Sequence, residues 1–123
     1  MGKILVIDDE EQIVLVLAMA LSKYGFNVEI ATNGVEGIKK FDEECFDLVI
    51  TDICMPGLSG NDVVKYVRNS EKYFTPVIGI TGTPWLLEND YFDAVFTKPF
   101  SLEGLVEAVS SLTAATLSSM SVS

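Results

Sequence analysis

Three carboxylates, a hydroxyl and an ammonium occupy equivalent places in this chain, each just after a short apolar run. Lys3-Ile4-Leu5-Val6-Ile7 runs into Asp8-Asp9, and Asp47-Leu48-Val49-Ile50-Thr51 into Asp52. Pro76-Val77-Ile78-Gly79-Ile80 runs into Thr81, and Asp93-Ala94-Val95-Phe96-Thr97 into Lys98-Pro99. One further run, Phe26-Asn27-Val28-Glu29-Ile30, carries no such group. Near-continuous β-branched runs of this length read as strands buried on both faces, as in a parallel sheet. Ligands of open α/β sheets bind beyond the carboxyl ends of the strands. Asp8, Asp9, Asp52, Thr81 and Lys98 are therefore expected to converge on one edge. Clustered carboxylates repel one another unless a cation lies among them. A hard divalent cation such as Mg²⁺ takes oxygen ligands and keeps several waters, which suits phosphoryl chemistry.

The elements that must position these groups alternate between strand and helix patterns, the signature of βαβ units. Residues 10–24 read as a helix with Glu10 and Glu11 in its first turn, where acids favour the dipole. Gly25 is its expected C-terminal glycine. Asn33 is the expected N-cap of a helix over 34–44 with Val35, Ile38 and Phe41 at helical spacing. Met55-Pro56-Gly57-Leu58-Ser59-Gly60 is turn-rich, and Ser59 with Asp62 resembles a capping box opening a helix that reaches Arg68. Val63, Val64 and Val67 supply its apolar face. Ser101 is expected to cap a last helix bearing Leu102, Leu105, Val106, Val109 and Leu112. Residues 1–112 form one domain, and the Ser/Thr-rich residues 113–123 read as a fraying tail or the start of a linker. No internal repeat is visible.

Composition removes several function classes. The chain has 123 residues, 49% hydrophobic and 21% charged, enough for one domain with a core and too few for two. Eighteen acidic against eight basic residues give a net charge of -10, which argues against direct binding to nucleic acid or an anionic membrane surface. There is no histidine, so no His-based general base, zinc site or Ser-His nucleophile can be built. Cys45 and Cys54 do not make a disulfide framework and point to a reducing, cytoplasmic setting. The N-terminus lacks the length and flanks of a signal peptide, and the longest apolar stretch, Ile13 to Leu21, is too short to span a bilayer.

Four segments together resemble the receiver domain of bacterial two-component response regulators. They are Ile7-Asp8-Asp9-Glu10, Asp47 through Gly57, Gly79-Ile80-Thr81-Gly82 and Thr97-Lys98-Pro99-Phe100, and the likeness covers about residues 3 to 112. The resemblance implies a flavodoxin-like (βα)₅ three-layer sandwich with parallel strand order 2-1-3-4-5. Asp52 would be the phosphoacceptor, a carboxylate nucleophile forming an aspartyl phosphate. Asp9, Asp52 and the backbone carbonyl of Cys54 would hold Mg²⁺ (or Mn²⁺), with Asp8 acting through a water. Thr81 and Lys98 would engage the phosphoryl oxygens, and Pro99 would follow a cis peptide bond. The donor would be a sensor histidine kinase or a histidine phosphotransfer protein. Such a domain is a phosphorelay switch rather than an enzyme with external turnover.

Rival readings meet specific objections. A flavodoxin-type FMN protein needs a phosphate-binding loop after the first strand, where Asp8-Asp9-Glu10 would repel it. A haloacid dehalogenase-type phosphatase opens a DxD motif there, which this chain lacks. A receiver that no longer switches is favoured by two departures from the family pattern and opposed by the intact acidic set. The Thr81 to Lys98 segment is about one helical turn short, so its helix must be short, distorted or absent. Val95 stands where relatives commonly carry a Tyr or Phe, and strand alternation puts Phe96 on the opposite face. The first helix is also apolar nearly all round. Ile13, Val16, Leu17, Ala20 and Leu21 are expected to face the sheet, leaving Val14, Leu15, Ala18 and Met19 as a second stripe for a partner or a second copy. Cys54 and Met55 are expected to pack, and Trp85 to lie in the core or in a surface patch.

Overall fold

The computed structural model describes residues 2–88 and 91–122, with side chains as far as residue 114. Strands β1 (Lys3–Ile7), β2 (Asn27–Ala31), β3 (Leu48–Asp52), β4 (Val77–Thr81) and β5 (Ala94–Thr97) pair in parallel in the order β2-β1-β3-β4-β5. Helices α1 (Glu11–Lys23) and α4 (Leu102–Val122) cover one face, and α2 (Gly34–Glu43) and α3 (Gly60–Arg68) cover the other. The three central strands carry almost only apolar residues and are buried on both faces, whereas edge strands β2 and β5 are partly exposed.

Alternation along the central strands divides the core. Ile4, Val6, Leu48, Ile50, Ile78 and Ile80 join Leu17, Leu21, Leu105 and Val109, while Leu5, Ile7, Val49 and Val77 join Phe41, Val63, Val64 and Val67. Each fully buried aliphatic side chain contributes roughly 1.5–3 kcal/mol, and these two layers hold the sheet edge that carries the polar groups. Among the described residues no helix is long and apolar enough to cross a membrane.

The expected helix starts are present. The Asn33 side chain accepts from Glu36 N–H at 2.8 Å, and Ser59 and Asp62 form a reciprocal capping box. Gly37 lies against Ile7 so closely that a Cβ would collide with it. Val35 points outward and is exposed, so the buried face of α2 is Gly34, Gly37 and Phe41 instead.

Two further expectations need correction. In α1 the buried residues are Val14, Leu17 and Leu21, at i, i+3 and i+7, while Val16 is 52% exposed. Val14 therefore belongs to the core, Ala18 is half-buried, and the outer apolar face is Leu15, Val16 and Met19. Helix α4 runs through Val122, and Thr113 is buried with its hydroxyl donating to the Val109 carbonyl at 2.8 Å. Cys54 has an exposed thiol, whereas Met55 packs as expected.

Between β4 and β5 the described residues hold one 3₁₀ turn, Pro84–Leu86, and no α-helix, as the short segment predicts; Asn89 and Asp90 lie outside the described residues. Two side chains of α3 secure this connection. Asn61, buried, donates from Nδ2 to the Leu86 carbonyl and accepts from Glu88 N–H at Oδ1, each at 3.1 Å. Arg68 donates to the Tyr73, Thr75 and Tyr91 carbonyls and pairs with Asp93 at 2.8 Å. Asp93 in turn accepts from Val77 N–H. Phe92 lies over Gly79 and fills the face left by the missing helix.

Candidate functional site

The carboxyl ends of β1, β3, β4 and β5 meet at one edge and bring the sequence-singled residues with them. Asp52 is the last residue of β3 and is buried. Asp8 follows β1 and is 1% exposed; its Oδ1 accepts from Glu10 N–H at 2.9 Å, while Oδ2 has no hydrogen-bond partner. Thr81 closes β4, fully buried, and its Oγ1 accepts from Thr83 N–H at 2.9 Å. Lys98 follows β5 across the sheet, its N–H donating to the Thr81 carbonyl at 2.8 Å and its peptide bond to Pro99 cis. The Lys98 ammonium lies 3.6 Å from Asp52 Oδ1.

Gly60 is required by this arrangement. Its N–H donates to the Ile53 carbonyl at 2.9 Å, and a Cβ at residue 60 would run into the Asp52 carbonyl oxygen. The capped N-terminus of α3 is thereby pressed against the backbone that carries Asp52.

The acidic cluster includes a residue that the sequence did not single out for the site. Carboxylate oxygens of Asp8, Glu10 and Asp52 lie within 4.8 Å of one another. Asp9 is exposed and stands beside this group, close enough that its charge works to raise the Asp52 carboxyl. Glu10 also pairs with Lys98 at 3.0 Å. Its place in Ile7-Asp8-Asp9-Glu10, two residues past Asp8, was the available signal; assigning its side chain only to the helix dipole missed its reach to Lys98.

Electrostatics follow from burial and crowding. Burial first, then Asp52 and Glu10, push the Asp8 carboxyl up to about 6, against the pull of the Glu10 N–H and of Lys98. Burial likewise raises Asp52 above 3.8, with Asp9 and Glu10 adding to it and Lys98 opposing. Burial works against the charge on Lys98, but its partners Glu10, Asp52 and Asp8 outweigh that and raise it above 10.5.

The residues present fit a hard divalent cation. Asp8 Oδ2 is a buried carboxylate oxygen with no partner, and the donors gathered around it are all oxygens. A cation there would offset the burial and the mutual repulsion that together raise Asp8 and Asp52.

Comparison with known proteins agrees with this geometry. The family profile described as response regulator receiver domain matches residues 4–110. The uncharacterized transcriptional regulatory protein YkoG of Bacillus subtilis (strain 168) is 36% identical over 117 residues, covering 88% of this chain and 49% of that protein. The response regulator TrrA of Thermotoga maritima, solved in complex with Mg²⁺-BeF, superposes with a TM-score of 0.83 at 36% identity, covering 91% of this chain and 99% of that one. The chemotaxis response regulator CheY4 of Vibrio cholerae superposes with a TM-score of 0.84 at 30% identity, covering 91% and 98%. The chain spans about half the length of the curated relatives it matches, 49% of YkoG and 42% of the transcriptional regulatory protein TrcR of Mycobacterium tuberculosis.

Proposed function

The chain belongs to the response regulator receiver domain family, and from that premise we propose that it takes a phosphoryl group onto Asp52. The observation that carries this reading is the buried Asp52 at the end of the central strand, 3.6 Å from an ammonium and beside a buried carboxylate oxygen without a partner. An Asp52 oxygen attacks phosphorus, and the bond from phosphorus to the donor nitrogen breaks with its electron pair staying on the donor imidazole. Lys98 shifts onto a phosphoryl oxygen as negative charge arrives there. Thr81 Oγ1 already accepts from Thr83 N–H, which leaves the hydroxyl proton to donate to a second phosphoryl oxygen. Asp9, Asp52 and the Cys54 carbonyl, with Asp8 beside them, would hold a divalent cation, Mg²⁺ or Mn²⁺, which would neutralise charge on the transferring group.

The donor in this reading is a sensor histidine kinase or a histidine phosphotransfer protein. Its histidine must reach Asp52 across the loop edge, and α1 starts at that edge. The outer face of α1, with Leu15, Val16 and Met19 exposed, is where such a donor lies against this domain. The unit that acts in this reading is residues 1–112, a cytoplasmic switch without external turnover. We expect no direct nucleic-acid contact, given the net charge of -10.

Incubation with acetyl phosphate and Mg²⁺ tests the reading by intact mass. The parent gains one phosphoryl group only with the cation present, and Asp52→Asn gains none. Labelling of Asp52→Asn to the same extent as the parent removes the assignment.

A further inference from the structure

Lys98 has two carboxylate neighbours, and the nearer one is not the proposed phosphoacceptor. Its Nζ lies 3.0 Å from Glu10 Oε1 and 3.6 Å from Asp52 Oδ1. The first separation is hydrogen-bond contact, and the second is outside the range of a charge-assisted hydrogen bond. Both partners of the closer pair are anchored through their backbones. Glu10 is the N-cap residue of α1; its N–H donates to Asp8 Oδ1 at 2.9 Å, and its carbonyl accepts from Val14 N–H at 3.1 Å. Lys98 N–H donates to the Thr81 carbonyl at 2.8 Å. The pair thus joins the first and last loops of the edge, across 88 residues of sequence.

We propose that Glu10 is a positioning residue that draws the Lys98 ammonium off Asp52 until a phosphoryl group arrives. This deepens the assignment of Asp52 as phosphoacceptor and rests on it. An ammonium hydrogen-bonded directly to Asp52 would compete with the cation for a carboxylate oxygen and hold back the lone pair that attacks phosphorus. Paired with Glu10, the lysine stays at the site while both Asp52 oxygens remain available. Once Asp52 carries a doubly charged phosphoryl group, its oxygens outweigh the single charge of Glu10, and Lys98 crosses to them. The Glu10 side chain is 59% exposed, so water solvates its carboxylate after the lysine leaves.

A double-mutant cycle separates this role from simple attraction of the cation by one more negative charge. The proteins are the parent, Glu10→Gln and Glu10→Asp, each also in a Lys98→Ala background. The readouts are the Mg²⁺ dissociation constant of unphosphorylated protein by calorimetry, and the rate of labelling by acetyl phosphate against Mg²⁺ concentration. Glu10→Gln is expected to weaken Mg²⁺ binding by about two- to fivefold, the scale of an exposed ion pair, with the shortfall in labelling rate narrowing as Mg²⁺ rises. Glu10→Asp keeps the charge but falls one methylene short of Lys98, and should behave like Glu10→Gln. In the Lys98→Ala background both effects should shrink. Parent-like Mg²⁺ affinity in Glu10→Asp or Glu10→Gln, or an undiminished effect of Glu10→Gln without Lys98, overturns the proposal. A parent that takes no phosphoryl group overturns the assignment of Asp52 itself, which is a different failure.

Discussion

Asp8 carries the largest electrostatic burden of any residue at the site. It is 1% exposed, and its carboxyl is raised from 3.8 to about 6. Folded protein therefore binds this proton more tightly than unfolded protein does. Between about pH 6 and pH 3.8 folding takes up a proton at Asp8, so the metal-free protein gains stability from this group as pH falls through that window and loses it as pH rises. Asp52, raised in the same direction, adds to the trend. Asp8→Asn should remove the Asp8 part and stabilise the metal-free protein at neutral pH by on the order of 1–2 kcal/mol, while weakening Mg²⁺ binding. Melting temperatures of parent and variant with a chelator, across that window, measure it; a variant less stable than the parent at neutral pH without metal contradicts the account. At this scale Asp8, Asp52, Thr81 and Lys98 were legible because each simply ends an apolar run. Glu10 was not, because the strand-end rule places a backbone and says nothing of where a flexible side chain at the cap of the following helix will reach.

Helix starts and strand ends could be read because each rests on local chemistry: Asn33 and Ser59 cap through bonds to residues three positions on. The phase of α1 could not. Where nearly every position is apolar, a rotation of less than one residue step, about 100°, leaves the pattern almost unchanged, so Leu17 and Leu21 stay in the core while Val14 and Val16 exchange places between core and surface. The connection from β4 to β5 was recognisably too short for a full helix, but its clamps, Asn61 and Arg68, are polar residues on a helix whose apolar pattern had already explained it. This connection also decides where a phosphorylation signal travels. Val95 is 39% exposed with no polar tip, and Phe96 lies on the other face, edge-on to Phe100 at 6.4 Å. Thr81, by contrast, is tied to Thr83 N–H at 2.9 Å, at the head of the 3₁₀ turn that presents Trp85. Beryllofluoride with Mg²⁺ should therefore shift amide resonances mainly over residues 81–83. Larger shifts centred on residues 94–97 would show that β5 carries the switch after all.

At the scale of the whole molecule, the reactive edge follows from alternation of strand and helix, whereas the strand order was implied by the family resemblance, since alternation alone allows other orders. What alternation cannot supply is which surfaces stay open, since that depends on how each helix is rotated. The outer face of α1 combines Leu15, Val16 and Met19, exposed by 50%, 52% and 72%. Replacing Leu15 and Met19 together with Glu should leave labelling of Asp52 by acetyl phosphate intact while slowing transfer from a phosphorylated kinase about tenfold or more, the equivalent of burying one large side chain. Equal slowing with both donors would mean that the face supports the fold rather than the partner. The central claim, that one carboxylate among several takes the phosphoryl group, is tested most directly by reducing freshly phosphorylated protein with borohydride, which converts an aspartyl phosphate to homoserine, and sequencing the peptides by mass spectrometry. Homoserine is expected at position 52, and only when Mg²⁺ was present during phosphorylation; homoserine at position 8 or 9, or at position 52 without the cation, would overturn the assignment.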